Sequence, residues 1–120
     1  MQGLHLTSDL RDCPAGAALM TEPARLRESC LHAVAAAGLQ PVGECFHRFP
    51  PPGGVTGVVL LAESHLAVHT WPELGAVTLD VYVCNLQADN SARAEVLLRA
   101  LEAAFAPGRI ERQRLERGRG

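Results

Sequence analysis

The sequence predicts an α+β fold: a two-layer α/β sandwich whose mainly antiparallel sheet carries two helices on one face. Segments that alternate apolar and polar residues dominate the middle of the chain, two stretches with helical spacing flank them, and clusters of proline and glycine supply turns between consecutive strands. At 120 residues the chain has the length of one domain, so residues 1–120 are expected to share a single core.

Leu4, Leu6 and Leu10 alternate with His5, Thr7 and Asp9, the pattern of a half-buried first strand. A helix is expected from near Thr21, with Pro23 in its first turn, Leu26, Cys30 and Val34 at four-residue spacing, and a stop at Gly38 before Pro41. Residues 42–49 read as a second strand, Pro50-Pro51-Pro52-Gly53-Gly54 as a loop, and residues 55–62 as an apolar third strand. Residues 64–70 and 76–84 read as two more strands, joined by Trp71-Pro72-Glu73-Leu74-Gly75. In the later one, Val77, Leu79, Val81 and Val83 make an apolar face and Thr78, Asp80, Tyr82 and Cys84 the opposite one.

Asp89-Asn90-Ser91 offers caps for a second helix, whose stripe of Val96, Leu97, Ala100, Leu101, Ala104 and Phe105 stops at Pro107-Gly108. The tail of residues 109–120, with five Arg and two Glu, reads as a short edge strand with a frayed, solvated end. No third helix remains to cover the sheet face that bears Tyr82 and Cys84. A second copy of the chain is the economical cover, so a homodimer formed through the sheet is expected.

A formal net charge of -2 gives no overall pull towards nucleic acid or membrane, and the arginine-rich tail lacks aromatic residues for base stacking. No apolar run approaches a membrane span and the first residues do not read as a signal peptide, so a cytoplasmic location is expected. The four cysteines, Cys13, Cys30, Cys45 and Cys84, form no CxxC pair and are expected as free thiols, with Cys30 and Cys45 serving as packing.

Reactive side chains concentrate between Glu63 and Cys84, where Glu63-Ser64-His65 is followed by His69-Thr70-Trp71-Pro72-Glu73. All 11 basic residues are Arg, so no lysine amine exists to carry pyridoxal phosphate. A metal shared by His65 and His69 is disfavoured, because residues four apart on a strand are roughly 13 Å apart. Ser64 lacks the Gly-x-Ser-x-Gly elbow of a hydrolase nucleophile. If the hairpin sets Thr70 against Ala76, Ser64 lies opposite Tyr82 and Cys84 becomes its diagonal neighbour at roughly 7 to 8 Å. That register leaves His69 on the other face, unless Ser64 sits in the bend before its strand, the arrangement favoured here, or a bulge shifts the pairing.

Taken as a block, Phe46-His47-Arg48-Phe49, Gly57-Val58-Val59, Glu63-Ser64-His65-Leu66, His69-Thr70-Trp71-Pro72-Glu73 and residues 80–84 resemble the prokaryotic S-adenosylmethionine decarboxylase proenzymes. Looser similarity extends to Leu4-His5-Leu6 and Glu116-Arg117-Gly118. The resemblance implies a pyruvoyl-dependent enzyme that needs neither pyridoxal phosphate nor a metal. Ser64 attacks the Glu63 carbonyl, an ester forms, and elimination leaves residues 1–63 as one chain and 64–120 as another, capped by a pyruvoyl group made from Ser64. That ketone forms an imine with the amine of S-adenosylmethionine and takes up the electrons released with carbon dioxide, yielding the decarboxylated product used for spermidine. By the same resemblance Cys84 protonates the substrate carbon, His69 and Thr56 assist processing, Phe49 stacks on adenine, Glu73 binds the ribose hydroxyls, and Trp71 shapes the pocket.

The chain departs from the family pattern in places. Thr56 stands where serine is usual, the Pro50-Pro51-Pro52 loop is one residue longer, Ala76 replaces the tyrosine of a Gly-Tyr pair, and Asn85 replaces the glycine after Cys84. Two alternatives are carried: a pyruvoyl-dependent ornithine or arginine decarboxylase of the same fold, and an unprocessed, non-enzymatic paralogue.

Overall fold

The structure is a computed structural model and describes residues 1–118. In chain order it contains β1 (Gly3–Arg11), α1 (Ala18–Thr21), α2 (Pro23–Ala36), β2 (Pro41–Arg48), β3 (Val55–Leu61), β4 (Ser64–Trp71), a 3₁₀ turn (Pro72–Leu74), β5 (Ala76–Cys84), α3 (Ser91–Phe105) and β6 (Arg109–Arg117). The strands form one sheet in the order β2-β3-β4-β5-β1-β6, and every neighbouring pair is antiparallel. The predicted α+β sandwich is therefore what forms.

Period two decides which face of the sheet is dry. Leu4, Leu6 and Leu10 of β1, Val55, Val59 and Leu61 of β3, Leu66 and Val68 of β4, and Val77, Leu79, Val81 and Val83 of β5 are all buried. Against them lie Leu26, Cys30 and Val34 of α2 and Ala94, Leu97, Leu98, Leu101 and Phe105 of α3. Helix α2 packs on β2 and β3, α3 packs on β1 and β5, and the two helices touch each other, so both cover one face. Each large aliphatic side chain taken out of water here contributes about 1.5–3 kcal/mol.

Several local expectations need correction. Helix α2 begins at Pro23 and not near Thr21, because Pro23 forces the residue before it out of helical geometry; Glu22 is extended at φ −108°, ψ 104°, and Thr21 closes the separate turn α1. Cys45 is exposed, not packed. It lies on edge strand β2, where a register shift between Pro41 and Gly43 precedes the pairing of Cys45 with Val58, so Phe46 is the residue that reaches the core side. Gly57 makes room for that ring: a Cβ at Gly57 would clash with the Phe46 side chain.

The β4–β5 register also differs from the expected one. Trp71 pairs with Ala76, Thr70 with Val77 and His65 with Tyr82, so Thr70 is not opposite Ala76 and Ser64 is not opposite Tyr82. Trp71 extends the strand by one residue, and the connection closes over Pro72–Leu74 with Gly75 at φ +59°, held by the Cys13 N–H donating to the Gly75 carbonyl at 2.9 Å. Strand β6 is neither short nor loose within the described residues. It pairs with β1 from Arg109 to Arg117, and Arg112 bonds both oxygens of buried Glu102 on α3 at 2.8 and 2.7 Å. The expected frayed end falls on residues 119–120, outside the described residues.

Candidate active site

Two clusters occupy the two ends of strand β4. At the first, β3 and β4 are joined by the tight turn Ala62-Glu63, with Leu61 paired to Ser64. Glu63 has φ +54°, a left-handed conformation that costs a residue with a Cβ about 1–2 kcal/mol. Strain thus sits on the residue whose carbonyl precedes Ser64. Ser64 is the first residue of β4, not part of the bend, and its Oγ accepts a hydrogen bond from the Cys84 backbone N–H at 3.1 Å. Ser64 and Cys84 are both partly exposed.

At the second cluster, Thr56 and His69 are direct cross-strand partners on β3 and β4, and Thr56 Oγ1 lies 3.0 Å from His69 Nδ1. The His69 ring stacks on Trp71, with centroids 5.9 Å apart and planes 28° from parallel. Phe49, Thr56, His69, Trp71 and Glu73 line one open cavity of about 390 Å³. The sequence marked each of these five, and the structure collects them in one place. It did not mark Thr70, which sets the cavity's back wall. Buried Thr70 accepts the Val55 N–H at 2.9 Å and donates to the Met20 carbonyl at 2.7 Å, tying β4 to β3 and α1. A buried threonine among apolar strand positions is the signal that could have found it.

The two clusters do not meet within one chain. Ser64 and His69 are five residues apart on the same strand, which places them about 17 Å apart. The observed register puts His69 on the face of Cys84 without any bulge, since His69 pairs with Thr78 and His65 with Tyr82, but it leaves Ser64, paired with buried Leu61, off that face, so Cys84 is not its same-face diagonal neighbour. Between the clusters that face carries His65 stacked on Tyr82 with centroids 5.8 Å apart, and His5 Nε2 at 3.1 Å from Asp80 Oδ1. Among the described residues, no group of three or more His, Cys, Asp or Glu is arranged to hold a metal ion.

The other thiols are placed for packing or for neither role. Burial pushes the Cys30 thiol up to about 12, and burial together with the Asp12 charge raises that of Cys13, so both stay protonated and inert.

A profile of the family described as S-adenosylmethionine decarboxylase matches residues 4–118. The S-adenosylmethionine decarboxylase proenzyme of Persephonella marina is 39% identical over 116 residues, covering 97% of this chain and 82% of that protein. The proenzyme of Aquifex aeolicus is likewise 39% identical over 116 residues, covering 97% and 81%. The proenzyme of Pyrococcus furiosus is 36% identical over 104 residues, covering 87% and 73%. The crystal structure of the Aquifex aeolicus adenosylmethionine decarboxylase superposes with a TM-score of 0.87 at 36% identity, covering 98% of this chain and 92% of that one.

Proposed function

The chain belongs to the S-adenosylmethionine decarboxylase family and is a decarboxylase proenzyme; we propose that it cuts itself between Glu63 and Ser64 and then decarboxylates S-adenosylmethionine. The observation that carries this reading is the Glu63–Ser64 junction, where a strained left-handed residue precedes a serine whose oxygen is held by the Cys84 N–H.

In the first step, Ser64 Oγ adds to the Glu63 carbonyl carbon, the amide C–N bond breaks, and the hydroxyl proton ends on the freed amine. The chain is then joined by an ester. Removal of the Ser64 Cα proton breaks the Cβ–Oγ bond and Glu63 leaves as a carboxylate; the enamine left behind tautomerises to an imine, and water hydrolyses it to ammonia and a ketone at the new N-terminus. Cutting the chain also releases the conformational cost stored at Glu63. His69 is the base for the Cα proton: in the tautomer whose Nδ1–H donates to Thr56 Oγ1, Nε2 is the nitrogen free to accept.

A pyruvoyl group can be accommodated at position 64, because this residue opens β4, is partly exposed and lies beside Cys84. The group supplies the electron sink for decarboxylation. Cys84, adjacent to it, donates the proton that replaces carbon dioxide on the substrate carbon.

The separation of about 17 Å between His69 and Ser64 along one strand supports a site completed by a second copy. Two chains stacked antiparallel through their open sheet faces set the Ser64–Cys84 end of one against the Thr56–His69 cavity of the other. This gives a homodimer before cleavage and a dimer of cleaved pairs after it. Each complete site then has the exposed rings of Phe49 and Trp71 to sandwich adenine and the Glu73 carboxylate to accept ribose hydroxyls.

Those three residues favour a nucleoside substrate over ornithine or arginine, which have neither ring nor ribose. The test is carbon dioxide release from each of the three compounds. Release from S-adenosylmethionine is expected, and preference for ornithine or arginine would overturn the assignment. Among the described residues, no helix is long and apolar enough to cross a membrane.

A further inference from the structure

Cys84, the last residue of β5, is held at both of its peptide groups. Its N–H donates to Ser64 Oγ at 3.1 Å and its carbonyl accepts from Asn90 Nδ2 at 2.9 Å. Asn90 is itself fixed, since its backbone N–H donates to Asn85 Oδ1 at 2.8 Å and the Asn85 amide donates to Ser91 Oγ at 3.1 Å. The Asn85 N–H donates to the Gln2 carbonyl at 2.8 Å, which pins the residue after Cys84 to the start of the chain.

Asn90 stands at the N-cap of α3, where asparagine ordinarily turns its side-chain oxygen back onto a helix N–H. It makes no such bond. Its oxygen accepts from Arg93 Nη1 at 3.0 Å, its nitrogen goes to Cys84, and the Ser91 N–H is taken instead by Asp89 Oδ1 at 2.9 Å. Helix capping therefore does not account for this side chain. Serine or aspartate would cap as well, but neither carries an amide NH₂ to offer the Cys84 carbonyl.

We propose that Asn90 is a positioning residue for self-cleavage, and through Cys84 for the proton transfer that follows; this rests on the roles given to Ser64 and Cys84 above. Holding Cys84 from both sides fixes both its backbone dihedrals. The direction of its Cα–Cβ bond, and with it the arc on which the sulfur can lie, is then set. The same clamp keeps the Cys84 N–H aimed at Ser64 Oγ, which restricts the nucleophile to one orientation before attack.

Asn90→Ser tests this, because serine suits an N-cap position but lacks the amide NH₂ that reaches the Cys84 carbonyl. Self-cleavage of freshly made chain, followed by intact mass, should slow about tenfold, the worth of one well-made hydrogen bond, while Tm stays within about 2 °C of the parent. Asn90→Asp should behave the same way. In the Ser64→Ala background, alkylation of Cys84 by iodoacetamide, mapped by peptide mass, should change severalfold on adding Asn90→Ser. That second readout does not need cleavage, so a parent chain that never cuts itself would sink the assignment of Ser64 while alkylation still decides the part played by Asn90. Parental cleavage and alkylation rates in Asn90→Ser, or slowing that only tracks a fall in Tm, would overturn the proposal.

Discussion

Thr56 Oγ1 lies 3.0 Å from His69 Nδ1, and the pairing of β3 with β4 sets the two residues directly opposite each other. A hydroxyl at that position orients the imidazole, and threonine does this as serine would. Thr56→Val keeps the shape and removes the hydroxyl. Its self-cleavage should slow by about tenfold or more, whereas Thr56→Ser should match or exceed the parent rate. Time courses of intact mass measure both, and an unimpaired valine variant would remove Thr56 from the processing machinery.

The separation of the clusters predicts complementation. Ser64→Ala keeps His69 but has no nucleophile, and His69→Ala keeps the nucleophile but has no base, so each should remain intact as a homodimer. Co-expressed, the His69→Ala chain should be cut in mixed dimers, because its Ser64 then faces the His69 of the other chain. Mass spectra of the purified mixture show the outcome. No cleavage in the mixture would mean that the site is not shared.

Glu73 lines the aromatic cavity, just beyond the end of β4 that is remote from Ser64. Glu73→Gln should therefore self-cleave at the parent rate but raise KM for S-adenosylmethionine about tenfold, with a smaller change in kcat. A loss of cleavage in this variant would place Glu73 elsewhere in the scheme.

Acid should loosen the attachment of β6. Burial pushes the Glu102 carboxyl up, but hydrogen bonds from Arg112 and Ser8 and the Arg112 and Arg99 charges outweigh it and hold the carboxyl below its ordinary value. A carboxyl depressed in the folded state adds stability above its unfolded pKa, and that stability is lost as pH falls through the unfolded and then the folded value. The loss should begin below about pH 4.5. Urea unfolding of the Ser64→Ala chain against pH follows it, and Glu102→Gln should cost about 1–3 kcal/mol at pH 7 and flatten the acid limb.

Much of the fold was legible because local periodicity and burial coincide in this chain. Val77, Leu79, Val81 and Val83 alternate in sequence and are all buried, and Leu26, Cys30 and Val34 lie on the covered side of α2. Cys45 was misjudged because the exposure of an edge strand depends on its neighbours and not on its own pattern. The β4–β5 register was missed because the connection is closed by a long-range bond from Cys13 to Gly75 and by a 3₁₀ turn, neither of which a count of loop residues reveals. The cavity-lining residues were readable as types in a familiar order. That Ser64 opens β4 itself instead of lying in the bend before it was not, since the turn Ala62-Glu63 closes one residue earlier than the alternation suggests.

Backbone scission at residue 64 is the step on which every later one depends, and intact-mass analysis after treatment with an aminooxy carbonyl reagent measures it directly. The parent chain should resolve into residues 1–63 and a reagent-labelled 64–120, and Ser64→Ala into one unlabelled full-length chain. A parent chain that stays whole and unlabelled after prolonged incubation would contradict the account.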